Sequence, residues 1–510
     1  MQAHEFLKIT DQFKLGHLPT EAPHPLTTNL SELSKNNPEK ACSILKEVDQ
    51  NALGILKDKT RGIINLKQSI DETISSGKKI YLAGCGSTGR LSIALEVLWR
   101  TLKPDDSERV VGFMAGGDSA LIKAIEDFED HPEFAAKHLE YLGFKDGDLL
   151  IASSEGGETP FVIGAVEYAK KISSRSPFFL YCNPNDVLVK NIERSKHIIE
   201  DHGIFKINLS SGPMALSGST RMQASTLIEY VIGLALFGPS NEISLKKRIL
   251  EFIAFIENLD FSFLVPFIME ESNLYLKGGF IVYETDEYGI TILTDTTERA
   301  PTFNLAPFEN LLDTNPTPSL CYMGQKSTDE TANAWNKILL RSPRTLDWPN
   351  YPQTSAYYFQ GFDVSGNAIN WRTRILDGLK VSLFSITREA DCIVFDFAKN
   401  IHQIPIKDLP LLEEHLLLKL LLNIHSTLIM GRMDRYYKNI MTWVKPSCNK
   451  LVDRAIRYIL ILLEEEGIKG LDYNDVCIEL FKQMDKISQS EPVVLKTMTA
   501  LKKSYSGEAP

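Results

Sequence analysis

Nothing in the cysteine pattern ties the chain to an oxidising compartment or a structural metal. The seven cysteines (Cys42, Cys85, Cys182, Cys321, Cys392, Cys448 and Cys477) are odd in number and scattered through 510 residues. There is no CxxC pair and no CxxC…HxxxH spacing. That argues against a disulfide framework or a zinc site, and fits a reducing, cytoplasmic setting. Positive charge is in deficit: 55 Lys and Arg against 66 Asp and Glu leave a formal net charge of -11. This balance argues against bulk attraction to nucleic acid or to an anionic membrane, while leaving room for a local basic pocket. The opening "MQAHEFLKITDQFKLG" lacks the apolar core of a secretory signal. The most apolar stretch, "LPLLEEHLLLKLLLNIHSTLIMG", is interrupted by Glu413, Glu414, His415, Lys419 and His425. Those charges would be costly in lipid, so a buried core helix is expected there.

What is present is an ordinary globular composition, 43% hydrophobic and 24% charged, in a chain too long for one core. Residues 1 to about 35 carry Pro19, Pro23 and Pro25 and little periodicity, which predicts an extended arm. From Pro38 to about Ser76 the pattern is helical. Apolar runs then alternate with amphipathic stretches: "KIYLAG", "VVGFMAG", "DLLIASS", "PFFLYC" and "HIIED". That alternation predicts a parallel sheet covered on both faces. A helix over "GSTRMQASTLIEYVIGLALF" closes the unit. A noisier second unit holds "GGFIVYETD", "PSLCYMG", "KVSLFSIT" and "DCIVFDF", and is closed by a helix from about Leu411 to Arg432. After Pro446 the chain reads as helical. The expected organisation is an N-terminal arm and helix (1–60), a first α/β domain (61–240), a second (241–435) and a helical C-terminal cap (436–510).

Directly after the first apolar run stands "AGCGSTGRL", residues 83–91. A glycine loop between a parallel strand and a helix is where open α/β sheets bind ligands, and the helix N-terminus favours an anion. Gly84, Gly86 and Gly89 match G-x-G-x-x-G, a weak dinucleotide signal on its own. No Asp or Glu ends the next strand, where a ribose-binding acid would stand, and no Gly-Lys-Ser/Thr follows for a P-loop. Ser87 and Thr88 instead place two hydroxyls in the first helical turn. That suits a phosphate monoester better than a pyrophosphate; a bare tight turn is the plain alternative. No cofactor or metal is expected.

Three further segments reach strand ends or helix starts: "AGGDSALIKAIEDFED", "IASSEGGETPFVIGA" and "SSGPMALSGSTRMQAST". The last two add the hydroxyl pairs Ser153 with Ser154 and Ser217 with Ser219. Singly, each could be a helix cap; together they point to a phosphate-and-sugar site at one mouth.

The run of "GCGSTGRL", "AGGD…EDFED", "TPFVIGA" and "GPMALSGSTRM" resembles the sugar isomerase (SIS) domain. More narrowly it resembles the N-acetylmuramic acid 6-phosphate etherases and the glucokinase regulatory proteins. The resemblance spans residues 60–235, with a fainter copy over 275–470. It implies two SIS-type, flavodoxin-like parallel-sheet domains with a helical C-terminal cap. It also implies that Gly86, Ser87, Thr88 and Ser154 hold a phosphate or sugar. Glu129, in the stretch matching "EDFED", would remove the C2 proton of a ring-opened sugar. The family's second glutamate should stand at position 98, where this chain has Leu98; Glu96, two residues off, falls on another side of the helix. "DEYGITILTDTTERAPTFNLAP" resembles the etherase stretch carrying that glutamate, which places Glu298 in the role. One composite site at the domain interface is therefore expected, with its pseudo-symmetric mate degenerated. "NKLVDRAIR" resembles a family helix start that reaches the sugar phosphate, so Lys450 and Arg454, one turn apart, could face one anion.

Met214 and Gln223 depart from the family pattern, and Glu155 and Glu158 replace small and basic residues. Acidic groups there would disfavour a second negative charge on the ligand. Two function classes follow. One is an enzyme that abstracts a proton alpha to the sugar aldehyde, leading to elimination, isomerisation or epimerisation. The other is a sensor that binds a sugar phosphate and regulates a partner such as a sugar kinase. A relic with no ligand is disfavoured by four hydroxyl-rich loops.

Overall fold

The strand Ile80–Gly84 (β1) is apolar at all but its last position and buried throughout. That is the signature of a parallel strand covered on both faces. With Val110–Met114 (β2), Leu149–Ser153 (β3), Phe178–Tyr181 (β4) and Phe205–Asn208 (β5) it forms an all-parallel sheet in the order β2-β1-β3-β4-β5. The computed structural model describes residues 2–506 except 11, 12, 14, 126, 127, 377, 447, 485 and 487–490. The first two residues of the "EDFED" motif therefore lie outside the described residues.

The first four strands fall where the apolar runs predict them; the fifth does not. "HIIED" belongs to the helix Glu193–Glu200, and β5 is the more polar "FKIN" further on. The buried positions Ile192, Ser195, Ile198 and Ile199 recur at helical spacing. A short apolar run does not reveal this, because only its wider period separates strand from helix.

The second sheet contains Phe280–Thr285 (β6), Cys321–Gln325 (β7), Val381–Glu389 (β8), Cys392–Phe397 (β9) and Asn400–Pro405 (β10), in the order β10-β9-β8-β6-β7. Read from β7, this repeats the strand order of the first sheet. The two-unit α/β architecture with C-terminal helices is as expected, but this sheet is mixed. β6 pairs parallel with β7 and β8, whereas β8, β9 and β10 form an antiparallel meander. Only residues 390–391 and 398–399 connect these strands, too few for a crossover helix, so the chain must double back. Ala390 and Ala398 take the positive φ angles, 51° and 59°, that such tight turns need.

The helix Leu411–Arg432 lies where the apolar stretch predicts it, and its charges have buried partners. Glu413 accepts from Arg248 at 2.6 and 2.7 Å and from Tyr230 at 3.0 Å. Glu414 accepts from Tyr288 at 2.6 Å, and His415 pairs with Thr291 at 2.7 Å. One continuous apolar core runs from the N-terminal segment through both sheets to the last helix, Val493–Ser506. Among the described residues no single helix is long and apolar enough to cross a membrane. Only the pair Glu242–Asn258 and Phe261–Leu276, bent by 55°, passes by length and composition together.

The two units meet at Asp295 on the helix Gly289–Phe303, which is 2% exposed. Its Oδ1 accepts from Arg221 of the first unit at 3.0 Å and from Asn423 and Ser426 at 3.0 and 3.1 Å. Its Oδ2 accepts from Arg299 Nη2 at 2.8 Å. Burial opposes ionisation of this carboxyl, but Arg299 and Arg221 outweigh it and hold the pKa below its usual value.

The proline-bearing arm is not extended. It forms short helical turns at Ala3–Leu7, Pro19–Glu21 and Pro25–Thr27, and it buries Phe6, Leu15, Leu18, Thr20 and Glu21. Proline fixes φ near the helical value, so a proline at the start of each of the two later turns favours them.

Asp295→Asn leaves two buried guanidiniums without their shared counter-charge, and is expected to lower stability by about 3–5 kcal/mol. Because the folded pKa is depressed, Asp295 stabilises fully above the unfolded value of about 3.9 and loses this contribution as pH falls through the folded value. Urea unfolding at pH 7 and pH 3.5 checks both points: the deficit of the variant should shrink at the lower pH.

Candidate functional site

Gly84 ends β1 where the following helix comes closest: a Cβ there would lie 2.2 Å from the Thr88 carbonyl carbon. Gly86 takes a φ of 56°, which turns the chain sharply into the helix Ser87–Leu102. The helix therefore starts at the carboxyl edge of the sheet with its free N–H groups and positive dipole end at the mouth.

That mouth is a cavity of about 190 Å³ drawn from both α/β units and the C-terminal helices. Of the residues singled out in the sequence, Gly86, Ser87, Glu129, Ser219, Glu298, Lys450 and Arg454 line it together. Glu129 comes from the segment after β2, and Glu298 from the helix Gly289–Phe303 of the second unit. Lys450 and Arg454 come from the helix Asn449–Glu465. Ser219 Oγ is buried and has no hydrogen-bond partner among the described residues.

Thr88, Ser153, Ser154 and Ser217 do not line the cavity, which corrects the expectation that their hydroxyls face a ligand. Thr88 Oγ1 both accepts from Cys85 N and donates to Cys85 O, each at 3.0 Å. Ser153 Oγ donates to Ala83 O at 3.4 Å, and Ser217 Oγ to Glu21 O at 2.7 Å. Ser154 Oγ accepts from the backbone of Gly157, Glu158 and Thr159 at 3.1, 3.2 and 3.4 Å. Buried loop backbone must find partners, and these hydroxyls supply them. Leu98, in the place of the family's second acid, is buried in the core. Glu96 is enclosed by Arg100, Arg341 and Arg344 at 3.1, 3.1 and 2.7 Å, in a separate cluster.

Charge in the site is paired more fully than the sequence suggests. Lys450 Nζ lies 3.1 Å from Glu129 Oε1 and 3.2 Å from Glu158 Oε1. Burial weakens a lysine's charge, but the two carboxylates outweigh it and raise the Lys450 pKa. Burial likewise opposes ionisation of Glu158, yet Lys450 and Arg194 hold its carboxyl at about 2. Its charge is thus spent locally, and the loop is less repulsive to an anionic ligand than its two glutamates imply.

Glu155 behaves differently. It lines the cavity, accepts from Ser225 Oγ at 2.9 Å, and burial pushes its carboxyl up to about 7. Two neighbouring glutamates on one loop thus differ widely in acidity, the arrangement that separates an acid from a fixed charge. Read in sequence, Glu155 is only a departure from pattern; what distinguishes it is burial without the close cationic partners that Glu158 has. Arg90 was also missed. It is the arginine of "GSTGRL", 3% exposed, donating to Thr297 Oγ1 at 3.2 Å and Ala120 O at 3.1 Å while lining the cavity. Burial raises the Cys85 thiol well above its usual pKa, with Glu129 adding to the shift, so Cys85 is no thiolate nucleophile. Among the described residues no cluster of three or more His, Cys, Asp or Glu could hold a metal ion.

An all-parallel β2-β1-β3-β4-β5 sheet with a glycine loop at its carboxyl edge and a cavity shared with a second α/β unit defines a phosphosugar-binding protein of the SIS class. The model of the glucokinase regulatory protein N-terminal SIS domain matches residues 63–170. The N-acetylmuramic acid 6-phosphate etherase of Rhodopirellula baltica is 32% identical over 228 residues, covering 44% of this chain and 70% of that protein. Those of Aliivibrio fischeri and Bacillus subtilis are 29% and 27% identical over 226 and 229 residues, covering 70% and 69% of their lengths and 44% of this chain. The chain belongs to the N-acetylmuramic acid 6-phosphate etherase family within the SIS class. Among solved structures, the C-terminal domain of glucosamine-fructose-6-phosphate aminotransferase from Francisella tularensis is 12% identical. It covers 77% of this chain and 94% of that one, at a TM-score of 0.37.

Because the folded pKa of Glu155 is raised, its contribution to stability weakens as pH climbs from about 4.5 through about 7. Glu155→Gln removes that loss. Thermal unfolding is expected to show the variant more stable than the parent by about 3 kcal/mol at pH 8, with no gain at pH 4.

Proposed function

We propose that the cavity binds a hexose or N-acetylhexosamine 6-phosphate and moves the C2 proton of the ring-opened sugar. The observation that carries this reading is the meeting of Glu129 and Glu298, from opposite α/β units, in one cavity beside a helix N-terminus. The phosphate sits at that N-terminus, against the Gly86–Ser87 backbone, Ser87 Oγ, Ser219 Oγ and Arg454. A carboxylate of the Glu129–Glu298 pair takes the proton from C2. The C2–H electron pair moves into a C1–C2 double bond, and the charge gathering on the C1 oxygen is met by Lys450. In the etherase-type outcome those electrons expel the C3 substituent, and Glu155, whose carboxyl titrates near neutral pH, protonates the departing oxygen. In isomerisation or epimerisation the proton returns to the sugar instead. The charge of Glu158 is balanced by Lys450 and Arg194, which leaves room for a ligand with a second negative charge and supports the etherase-type outcome. The cavity draws on three of the four proposed segments, 61–240, 241–435 and 436–510, with 1–60 packed behind it, and we assign it to amino sugar metabolism in the cytoplasm.

The match to a regulatory-protein SIS domain favours a second reading, a sugar-phosphate sensor acting on a sugar kinase. Incubation with N-acetylglucosamine 6-phosphate or N-acetylmuramic acid 6-phosphate in D₂O, followed by NMR, separates the two. Deuterium is expected at C2, with Glu129→Gln and Glu298→Gln each slowing its entry by about 10²–10⁴-fold. Absence of exchange, together with thermal stabilisation by fructose 6-phosphate, would overturn the catalytic reading in favour of the sensor. Lys450→Ala is expected to weaken sugar-phosphate binding; unchanged affinity there and in Glu298→Ala would refute the composite site.

A further inference from the structure

Arg454 lines the cavity, but two of its three nitrogens are already occupied. Its Nε donates to Glu21 Oε2 at 2.9 Å and its Nη2 to Glu21 Oε1 at 2.6 Å, a two-pronged contact 433 residues away in sequence. Glu21 is 4% exposed and also accepts from Arg457 Nη2 at 2.9 Å. Burial opposes its ionisation, yet the two guanidiniums hold its carboxyl at about 2, so it is charged at neutral pH. The third nitrogen, Arg454 Nη1, has no hydrogen bond among the described residues. The cavity-lining loop leaves no room for a side chain beside the guanidinium: at Gly218, where φ is 69°, a Cβ would lie 2.9 Å from Arg454 Nε.

Glu21 is itself held from several sides. Ser217 Oγ donates to its carbonyl, from the loop that carries Ser219. Its neighbour Thr20 donates its N–H to Asn183 Oδ1 at 3.1 Å and accepts from Asn183 Nδ2 at 2.9 Å. Asn183 Nδ2 also donates to Gly156 O at 3.0 Å, in the loop of Glu155 and Glu158. Further along, Thr27 Oγ1 donates to Ala215 O at 2.7 Å. One stretch of the arm thus ties two cavity loops and the C-terminal helix together.

We infer that Glu21 is a positioning residue of the anion site: the N-terminal arm clamps the inner edge of the Arg454 guanidinium so that its free edge faces the ligand. This rests on the sugar-phosphate reading above. A planar guanidinium offers its donors in a fixed fork, so fixing one edge also fixes the direction of the other. The same charge makes the site selective. With Glu21 neutralising one of the two guanidiniums it touches, the local excess of positive charge is small, and an anion must supply matching geometry as well as charge.

The test is calorimetric titration with N-acetylglucosamine 6-phosphate, using the full chain. Glu21→Gln is expected to weaken binding about tenfold, and Glu21→Asp, which keeps the charge but shortens the reach, by less. The double variant Glu21→Gln/Arg454→Gln should bind no more weakly than Arg454→Gln alone, because Glu21 acts through Arg454. Arg457→Gln, which removes the partner of Glu21 that does not line the cavity, should change affinity by less than twofold. Wild-type affinity in Glu21→Gln, or additive losses in the double variant, would overturn the inference. If Glu21→Gln does not fold, Glu21→Asp decides, wild-type affinity again counting against it. If the parent protein itself binds no sugar phosphate, the functional reading fails instead. The clamp then stands or falls on the rate at which phenylglyoxal modifies Arg454. That rate should rise severalfold in the Glu21 variants, and an unchanged rate would refute the contact.

Discussion

The cavity is enclosed by two α/β units held face to face, and a central contact between them is Asp295. A single buried carboxylate accepts from Arg221 on one unit and from Arg299, Asn423 and Ser426 on the other. Glu298 follows it by three residues on the same helix, so the orientation that satisfies Asp295 also decides which way Glu298 faces. Arg221 itself lines the cavity. The interaction that joins the halves and the cavity they enclose are therefore one arrangement. Behind it a smaller pocket is shared by Ser87, Arg90 and Glu298 with Lys419 and Glu229. Burial pushes Glu229 up to about 7 and lowers the Lys419 pKa.

The two units share a strand order but have diverged in what they contribute. The first keeps the all-parallel sheet, the glycine turn and the helix N-terminus that faces the cavity. In the second, Asp286 accepts from Lys337 at 2.7 Å and Tyr288 donates to Glu414, so the residues at the equivalent turn are bound up internally. Its sheet has replaced two crossovers with hairpins. What it supplies is a helix face carrying Asp295 and Glu298. The charges on the apolar helix Leu411–Arg432 are paired inside the protein, Glu413 with Arg248 and Lys419 with Thr226 Oγ1 of the first unit at 2.8 Å, while burial keeps His415 and His425 neutral.

Much of the fold was legible because strands with a buried face leave apolar runs, and eight of the ten strands left one; β10, "NIHQIP", did not. "HIIED" misled because two adjacent isoleucines satisfy either period, and β5 itself is too polar to announce. Of the residues lining the cavity, Gly86 and Ser87 were legible in the glycine turn itself, and Glu129, Glu298, Lys450 and Arg454 through the family motifs they resemble. The hydroxyls were only half legible. Ser219 lines the cavity, whereas Thr88, Ser153, Ser154 and Ser217 serve the backbone of their own loops, and a serine has the same appearance in sequence in either role.

By itself the amino-acid sequence determined the class of fold and the alternation of elements, because these depend on local period; the pairing of a glycine turn in one half with an acid in the other came from its resemblance to the etherases. It could not determine which charges cancel. That Glu158 lies against Lys450 and Arg194, that Glu155 is isolated enough to titrate near neutral pH, and that Glu21 reaches across the whole chain to Arg454 are consequences of burial and long-range approach. Desolvation and Coulomb energy depend on distance in space and on exclusion of water, and both are settled only when the arm, the two sheets and the last helices close around one cavity.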